Sequence, residues 1–404
     1  MSKHARDRRP YIKPVTRIEL STESFTVRWI LIVLLIAVAA TCLVVGITSM
    51  METVDGWAAI EVSSDKVNCS EDFQFYYDLG AGEEAATVEN KRLTTIYSQA
   101  TEDGYMIFSA YDDSDTVHNV RYLNQHPNEV VTVDETLYRA LELLNRYHDR
   151  SVFLAPLNVE YNRIFNSTND VEAAGFDPAK SEQARANVSE MMTYAGNPEM
   201  ISLELFGDNQ VQLHIAEEYL AYAQQEEIEV FVDFSWMTNA FIADYIAEVL
   251  LDYGMTNGYV VSFDGYTRNL DTRGGAYRLN VFSRQGDTVY VPAVMSYDEP
   301  LSIVSLRAYP MSNEDAWHYY EYENGDVASV FLDPADGLSK HTLKELISYS
   351  ADLSCAETLM KAKTLFIADE VDMNSLNGND FFCVWSEGEK IVTNDPNLVL
   401  EIQK

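Results

Sequence analysis

The hydrophobic pattern of the chain begins with one long apolar run near the N-terminus. Residues 29–50 (WILIVLLIAVAATCLVVGITSM) contain no charged side chain. A helix rising about 1.5 Å per residue crosses the ~30 Å hydrocarbon core of a bilayer over such a length, whereas the apolar segment of a cleaved signal peptide has only about 7–15 residues. The run therefore predicts an uncleaved transmembrane helix. Lipid attachment at Cys42 is a weaker alternative, because apolar residues continue beyond it.

The charges on either side of this run predict its orientation. Residues 1–28 hold seven Lys/Arg and three Asp/Glu side chains. Basic flanks of a transmembrane helix remain on the cytoplasmic side. We therefore expect a cytoplasmic tail at 1–28, a juxtamembrane spacer at 51–70, and an extracytoplasmic domain at 71–404 on a single-pass protein of the cell membrane.

Beyond the spacer, the apolar and polar positions alternate with the periods of helices and strands. Helices are predicted at about 134–148, 180–195, 236–253 and 354–367. Strands are predicted at 106–108, 228–234, 259–263, within 277–309, and at 346–350, 381–385 and 390–393. Residues 166–180 are rich in Asn, Ser, Thr, Asp and Gly and predict a loop. Strand 228–234, a helix and strand 259–263 form a predicted crossover unit, so the domain is expected to be α/β or α+β with mixed sheets.

Charge narrows the classes of partner that this domain can have. Once the basic tail is set aside, the remaining chain carries a net charge of −40. Such a surface repels nucleic acid and anionic lipid, so a nucleic-acid partner is excluded. The acidity favours solubility, bound cations or a basic partner.

Cysteines and short motifs exclude several enzyme classes. Outside the apolar run, Cys69, Cys355 and Cys383 allow at most one internal disulfide, and their spacing leaves the pairing open. The chain has no GxGxxG, no phosphate loop ending in GK[ST], no HExxH and no GxSxG. Serine-hydrolase and zinc-protease chemistry are therefore poorly supported.

Four segments of the chain, in order, carry a pattern of their own: DFSWMTNAFIAD at 233–244, LLDYGMTNGYVVSFDG at 250–265, VFLDPADGLS at 330–339 and AETLMKA at 356–362. The first resembles the motif D-L-G-G-I-A-K-G-Y-A-V-D, and the second resembles a strand that ends in a GG pair. The third resembles H-I-I-D-P-x-T-G-x-P and the fourth A-D-A-L-x-T-A. In this order and spacing they resemble the motifs of the ApbE family, the FAD:protein FMN transferases, and the resemblance covers roughly residues 70–404.

The chain departs from these motifs at positions that carry the family's chemistry. Asn239 stands at the lysine, Asp264 at the first glycine of the GG pair, and Val330 at the histidine. Ser235 and Trp236 replace two glycines. Glu357 and Lys361 replace an aspartate and a threonine that help to hold magnesium in the family.

The resemblance implies a reaction and a set of site residues. Family members transfer FMN from FAD to a Thr or Ser of an extracytoplasmic redox protein, with AMP leaving and Mg²⁺ bridging the phosphates. The flavin-binding residues implied here are Asn239, Asp264, Gly265, Asp333 and Gly337, although 333–337 also reads as a simple turn. Glu357 is implied as a metal ligand.

Two residues in the last motif allow a second interpretation. Ser354 and Glu357 fit a capping box at a helix N-terminus, in which case Glu357 need not bind metal. Lys361 lies four residues after Glu357, so we expect the two to pair and the ammonium to take the place of Mg²⁺.

The altered positions leave three function classes open. The chain is a membrane-anchored FAD:protein FMN transferase, a catalytically degenerate relative that binds flavin or acts as a scaffold, or an unrelated acidic adhesion or cation-binding ectodomain. Bound flavin and a labelled acceptor would distinguish the three.

Overall fold

The computed structural model describes residues 53–62, 72–82, 84–286, 288–311, 317–371, 380–388 and 390–403. The described strands are β1 (Gly56–Ile60), β2 (Phe73–Leu79), β3 (Val130–Thr132), β4 (Ile201–Gly207), β5 (Gln210–Ile215), β6 (Gly258–Ser262), β7 (Tyr266–Asn269), β8 (Tyr277–Gln285), β9 (Thr288–Tyr297), β10 (Ser302–Arg307), β11 (Tyr319–Glu321), β12 (Val327–Ser329), β13 (Glu345–Ser350), β14 (Phe382–Glu387), β15 (Lys390–Thr393) and β16 (Val399–Ile402).

The described helices are α1 (Ala86–Phe108), α2 (Val120–Gln125), α3 (Glu135–Arg146), α4 (Ala155–Phe165), α5 (Asp170–Phe176), α6 (Glu182–Ala195), α7 (Glu217–Gln225), α8 (Thr238–Asp252) and α9 (Cys355–Phe366). Short 3₁₀ turns cover Ser151–Leu154 and Ser235–Met237. Residues 54–404 form one compact unit.

A central sheet of eight strands organises this unit. Its order is β1-β2-β6-β7-β10-β13-β14-β15, and every neighbouring pair is antiparallel. In β2 alternate side chains are buried (Phe73, Phe75, Tyr77 and Leu79), because successive residues of a strand point to opposite faces. The sheet therefore presents one strongly apolar face.

Helices α1, α8 and α9 cover that apolar face. Gly104 of α1 lies so close to α8 that an added Cβ would sit 3.0 Å from Ile242 and 3.2 Å from Tyr245. The three helices and the sheet share the main core, which includes Leu93, Ile246 and Leu359. This packing fixes α8, which carries Asn239, against the ends of β6 and β7.

A second layer covers part of the opposite face. The sheet β16-β9-β8 packs on β10, β13 and β14 through Val281, Met295, Ile303, Ile347 and Val384. Strands of the central sheet that lie under this layer are buried on both faces, as in β13. The outer faces of β1, β2 and β6 lie beside the layer and retain partly exposed side chains.

Most of the predicted elements are confirmed. The predicted helices correspond to α3, α6, α8 and α9, and the strands predicted near 259–263, 277–309, 346–350, 381–385 and 390–393 are present. Gly254 follows α8 with φ +74°, as expected of a glycine that ends a helix.

The predicted crossover unit is wrong. Residues 228–234 form no strand and belong to no described sheet. The Asn124 side chain takes the place of a neighbouring strand: its Oδ1 accepts from the N–H of Phe231 at 3.0 Å and of Val232 at 2.9 Å, and its Nδ2 donates to the Val232 carbonyl at 2.8 Å. Strand β6 pairs antiparallel with both of its neighbours, β2 and β7. Since the other neighbouring pairs of the sheet are antiparallel too, it contains no parallel strand pair among the described residues.

Three smaller predictions are also wrong. Residues 106–108 end helix α1 instead of forming a strand, and the loop predicted at 166–180 contains α5. The expected spacer at 51–70 contains β1, which pairs with β2, so the folded domain begins before residue 71.

The predicted transmembrane helix at 29–50 lies outside the described residues. Among the residues that the structure does describe, we find no helix with the length and apolar character needed to span a bilayer. Cys355 and Cys383 are buried free thiols, and Cys69 lies outside the described residues.

Candidate functional site

A cavity of about 650 Å³ opens where β6, β7 and β10 end. Its walls are largely aromatic, and its polar groups are few: Trp236, Phe263, Tyr266, Phe282, Trp317, Tyr319 and Phe331 surround Asp72, Asp264, Ser305, Arg307 and His318. Cavities of this size and composition are typical of small-molecule sites. Three positions at which the chain departs from the family motifs, Trp236, Asp264 and Val330, line it together.

Gly265 allows two strands to approach each other at the cavity edge. Its φ is +110°, and a Cβ there would collide with the Ser305 carbonyl oxygen. The Ser305 N–H donates to the Gly265 carbonyl at 2.9 Å. Gly265 thus has a backbone role, and it places the preceding residue, Asp264, in the wall.

Ser235 keeps the backbone conformation that suits the glycine it replaces. Its φ is +51°, in the left-handed region that side chains other than glycine rarely adopt. Asp233 holds this turn by accepting from the Ser235 N–H at 2.9 Å, and Tyr111 donates its hydroxyl to the other oxygen of Asp233 at 3.1 Å. The turn brings the Trp236 side chain into the cavity.

Asn239 and Asp264, both predicted as binding residues, meet at the cavity wall. The Asn239 amide nitrogen donates to Asp264 Oδ2 at 3.0 Å. Asp264 Oδ1 is buried and, within the described part of the chain, accepts no hydrogen bond. Burial raises the pKa of Asp264 to about 7, and the nearby Asp72 carboxylate acts in the same direction. The wall therefore contains a desolvated carboxyl group with one oxygen bonded to Asn239.

Arg307 and His318 are site residues that the sequence did not reveal. Arg307 ends β10, and its buried Nε finds no hydrogen-bond partner among the described residues. Burial, together with the Arg307 charge, lowers the pKa of His318 to about 3, so the imidazole is neutral at physiological pH. Arg307 is consequently the cationic side chain of the described lining.

A buried ion pair lies next to the Trp236 ring. Lys363 pairs with Asp149, and both side chains are only 6% exposed. The Lys363 ammonium donates to Ser151 Oγ at 2.7 Å and lies 5.9 Å from the centroid of the Trp236 ring, while Phe331 meets that ring edge-on at 4.9 Å. A sequence signal existed for Lys363, because it sits between Leu359 and Phe366 on the apolar stripe of α9.

Asp333 and Gly337 lie outside the described cavity lining. The Asp333 carboxylate pairs with Lys340 at 2.9 Å, and Lys340 also contacts Asp336 at 2.7 Å. Gly337 has φ +74° and packs tightly against Leu157 and Met192. These contacts support the turn interpretation of 333–337.

Glu357 and Lys361 do not form the predicted ion pair. Ser354 caps α9 by accepting from the Glu357 N–H at 3.2 Å, as the capping box predicts. The Glu357 carboxylate bonds Arg146 at 2.7 Å, and Lys361 lies 3.2 Å from Asp380. Each side chain has a nearer partner from another part of the chain, which the helical spacing alone did not reveal.

The residues around α9 do not fit a magnesium ion. Asp244, the last residue of the 233–244 motif, accepts from the N–H groups of Cys355 and Ala356, both at 2.8 Å, and so caps α9. Mg²⁺ needs several free oxygen ligands in octahedral geometry, but Asp244 and Glu357 are both engaged. No group of three or more His, Cys, Asp or Glu side chains in the described residues is arranged to hold a metal.

Comparisons with known proteins agree with this architecture. No protein-family model and no curated protein matches the sequence. Among solved structures, the ApbE protein of Thermotoga maritima is similar with a TM-score of 0.55 at 13% identity, covering 86% of this chain and 97% of that one. The flavin transferase ApbE of Vibrio cholerae gives 0.56 at 14%, covering 84% and 97%. The flavinyl transferase ApbE of Pseudomonas stutzeri gives 0.51 at 14%, covering 85% and 94%. The chain therefore has the mixed α/β fold of the ApbE flavin transferases.

Proposed function

We propose that this protein binds a flavin in the aromatic cavity and does not transfer FMN. The observation that carries the proposal is the lining itself: aromatic walls that include a carboxyl group, Asp264, and a guanidinium group, Arg307. Each group also has one buried atom without a hydrogen-bond partner among the described residues, so the fold leaves part of its hydrogen-bonding capacity unused and a ligand that engages both groups is favoured.

A flavin ring meets these requirements. It is a flat aromatic system that stacks on side chains such as those of this cavity. Its pyrimidine edge carries an N–H group between two carbonyl oxygens. The N–H can donate to Asp264, and a carbonyl can accept from Arg307.

Transfer chemistry has less support because the charges are unsuitable. Moving a phosphoryl group from FAD requires positive charge around the phosphates. Asn239 is neutral where the family has lysine, and Asp72 and Asp264 place carboxylates in the wall. With Asp244 and Glu357 engaged, a resident magnesium would have no free carboxylate from either residue.

The predicted membrane anchor would hold this flavin outside the cytoplasm. We propose that the domain keeps the flavin as its own bound group on that side of the membrane. A redox protein that accepts FMN would be a partner only if transfer occurs. The competing function is therefore FMN transfer from FAD to a Thr or Ser of such a protein, as the fold suggests.

One experiment tests the proposal against the transferase. The full-length protein is titrated with riboflavin, FMN and FAD, with and without Mg²⁺, while flavin fluorescence is followed. It is then incubated with FAD and an acceptor protein of a known ApbE enzyme, and the acceptor mass is measured. We expect flavin binding that does not depend on Mg²⁺ and an acceptor of unchanged mass.

Variants identify the site in the same assay. Arg307→Ala should weaken riboflavin binding at least tenfold, whereas Arg278→Ala, which removes an exposed arginine paired with Glu401, should leave it unchanged. An acceptor carrying FMN would establish the transferase instead. Failure to bind any of the three flavins would reject both functions and leave a scaffold.

A further inference from the structure

A second cavity, of about 670 Å³, lies away from the flavin cavity at the β1 edge of the central sheet. Its floor is the outer face of β1, β2 and β6, which supply Trp57, Tyr76 and Tyr259. Its wall comes from Tyr277 at the start of β8 and from the loop at 271–276. We call this cavity the aromatic groove. It shares no lining residue with the flavin cavity.

The floor of the aromatic groove is a continuous set of rings. Tyr76 and Tyr259 stack with centroids 5.1 Å apart, Trp57 lies 5.8 Å from Tyr259, and Tyr277 meets Trp57 edge-on at 6.1 Å. Trp57 is nevertheless 51% exposed. Exposed aromatic surface that is fixed by its neighbours and rimmed by polar groups is characteristic of binding sites.

The polar rim of the groove is fixed in place. Arg273 donates to both oxygens of Asp271, at 2.9 and 2.8 Å, and to Asp78 at 2.8 Å. Tyr277 donates its hydroxyl to Asp271 at 2.6 Å. A guanidinium has five N–H donors, so two remain for a ligand after these three bonds. The rim thus presents a planar donor group that is rigid before any ligand arrives.

Two glycines keep the rim open. Gly274 has φ +74°, which favours glycine in the loop. At Gly275 a Cβ would stand 3.4 Å from an Asp271 oxygen and 3.5 Å from the Tyr277 ring. Without side chains at these two positions, the Tyr277 ring remains open to the groove, while Asp271, which is only 1% exposed, positions Arg273 from below.

We propose that the aromatic groove binds a saccharide. The C–H face of a pyranose ring is flat and apolar enough to stack on Trp57, and its hydroxyl groups at the ring edge both donate and accept hydrogen bonds. Asp78 can accept from such a hydroxyl, and the two remaining N–H groups of Arg273 can donate to it. One saccharide can therefore stack on the aromatic floor of the groove and form hydrogen bonds with its polar rim.

Other ligand classes fit the groove less well. A phosphate or a carboxylate ligand would meet Arg273 and Arg278, but Arg273 is already paired with Asp78 and Asp271 and Arg278 with Glu401, so the charges of both arginines are largely neutralised. A purely apolar ligand would cover the Asp78–Arg273–Asp271 network without giving its atoms hydrogen bonds, which costs free energy. The proposal is independent of flavin binding, because a different cavity carries it.

The test pairs two exposed tryptophans in different cavities. Trp317 is 54% exposed and lines the flavin cavity, so Trp57→Ala and Trp317→Ala form matched variants. Full-length wild-type protein and both variants are titrated calorimetrically with neutral tetrasaccharides of β-1,4-linked glucose, β-1,4-linked N-acetylglucosamine and α-1,4-linked glucose, and separately with riboflavin. A separate calorimetric titration with a monomeric short-chain phosphatidylcholine measures lipid binding.

We expect at least one saccharide to bind wild-type protein. Trp57→Ala should weaken it at least tenfold and leave riboflavin binding unchanged, while Trp317→Ala should leave saccharide binding unchanged. Absence of binding to all three saccharides, or equal saccharide binding by Trp57→Ala and wild type, overturns the proposal. Binding of the short-chain phosphatidylcholine that Trp57→Ala alone abolishes, without saccharide binding, would make the groove a lipid contact and likewise overturn the proposal.

Discussion

Replacing Asp264 with asparagine tests the electrostatics of the flavin cavity most directly. Asparagine keeps the shape of the side chain and removes the titratable proton. Burial raises the pKa of Asp264 from 3.8 to about 7 in the folded protein, whereas in the unfolded chain the carboxyl titrates near its ordinary value. The folded state therefore holds a proton between about pH 4 and pH 7 that the unfolded state has released.

The sign and size of the effect follow from this difference. A group with a raised folded pKa favours folding at low pH, and that contribution is lost as the pH rises towards the folded pKa. A shift of one pKa unit corresponds to about 1.4 kcal/mol. Between pH 5 and pH 8 the free energy of unfolding of the wild type should therefore fall by about 3 kcal/mol, a loss that Asp264→Asn should not show. Such a loss is a large part of the free energy of unfolding of a typical domain, which is about 5–15 kcal/mol.

Urea unfolding at pH 5, 6, 7 and 8 measures the difference. The free energy of unfolding of Asp264→Asn minus that of wild type should rise with pH by about 3 kcal/mol and level off above pH 7. Asp252→Asn, which removes one exposed charge from α8, is the matched control for net charge. A difference that stays constant from pH 5 to pH 8 would refute our view that the Asp264 carboxyl is desolvated.

Three further substitutions test the framework of the site. Gly265→Ala should lower the free energy of unfolding by more than ~2 kcal/mol in urea titrations, because the added Cβ collides with backbone, whereas Gly286→Ala has open space and should cost about 1 kcal/mol. Lys363→Met should lower the free energy of unfolding by about 3–5 kcal/mol, because it leaves the buried Asp149 carboxylate without its ion-pair partner. Arg139→Met removes one partner of an exposed ion pair and should lower it by less than ~1 kcal/mol. Equal losses for the two variants would argue against a buried ion pair. Ser235→Gly should raise the melting temperature, because glycine adopts a φ of +51° without strain; a lower melting temperature would show that the side chain stabilises the turn.

Local sequence signals were sufficient where one element buries one regular face. The apolar stripe of α3 marked that helix, and Ser354 with Glu357 marked the start of α9. These signals are short-range, because helix faces and caps depend on residues three and four positions apart. Residues 228–234 show the limit: their apolar, β-branched pattern is that of a buried strand, but their backbone bonds to one distant side chain, Asn124.

The residues of the candidate site were likewise only partly predictable from the sequence. The motif order brought attention to Asn239, Asp264 and Gly265, and the structure places Asp264 in the cavity wall with Asn239 bonded to it and Gly265 next to it in the chain. Arg307 and His318 escaped notice, because nothing in their own neighbourhood along the chain shows that β10 ends and β11 begins at that cavity.

The apolar run at 29–50, the acidic charge of the rest, four of the nine described helices and the positions at which the motifs changed could be read from the sequence alone. Those properties are local or additive along the chain. The other five described helices, the strand order of the sheet, the partners of Glu357 and Lys361, and the burial of Asp264 became known only from the folded structure. Partners and burial depend on which distant segments meet, and a charge acquires its chemistry from those neighbours and from the water they exclude.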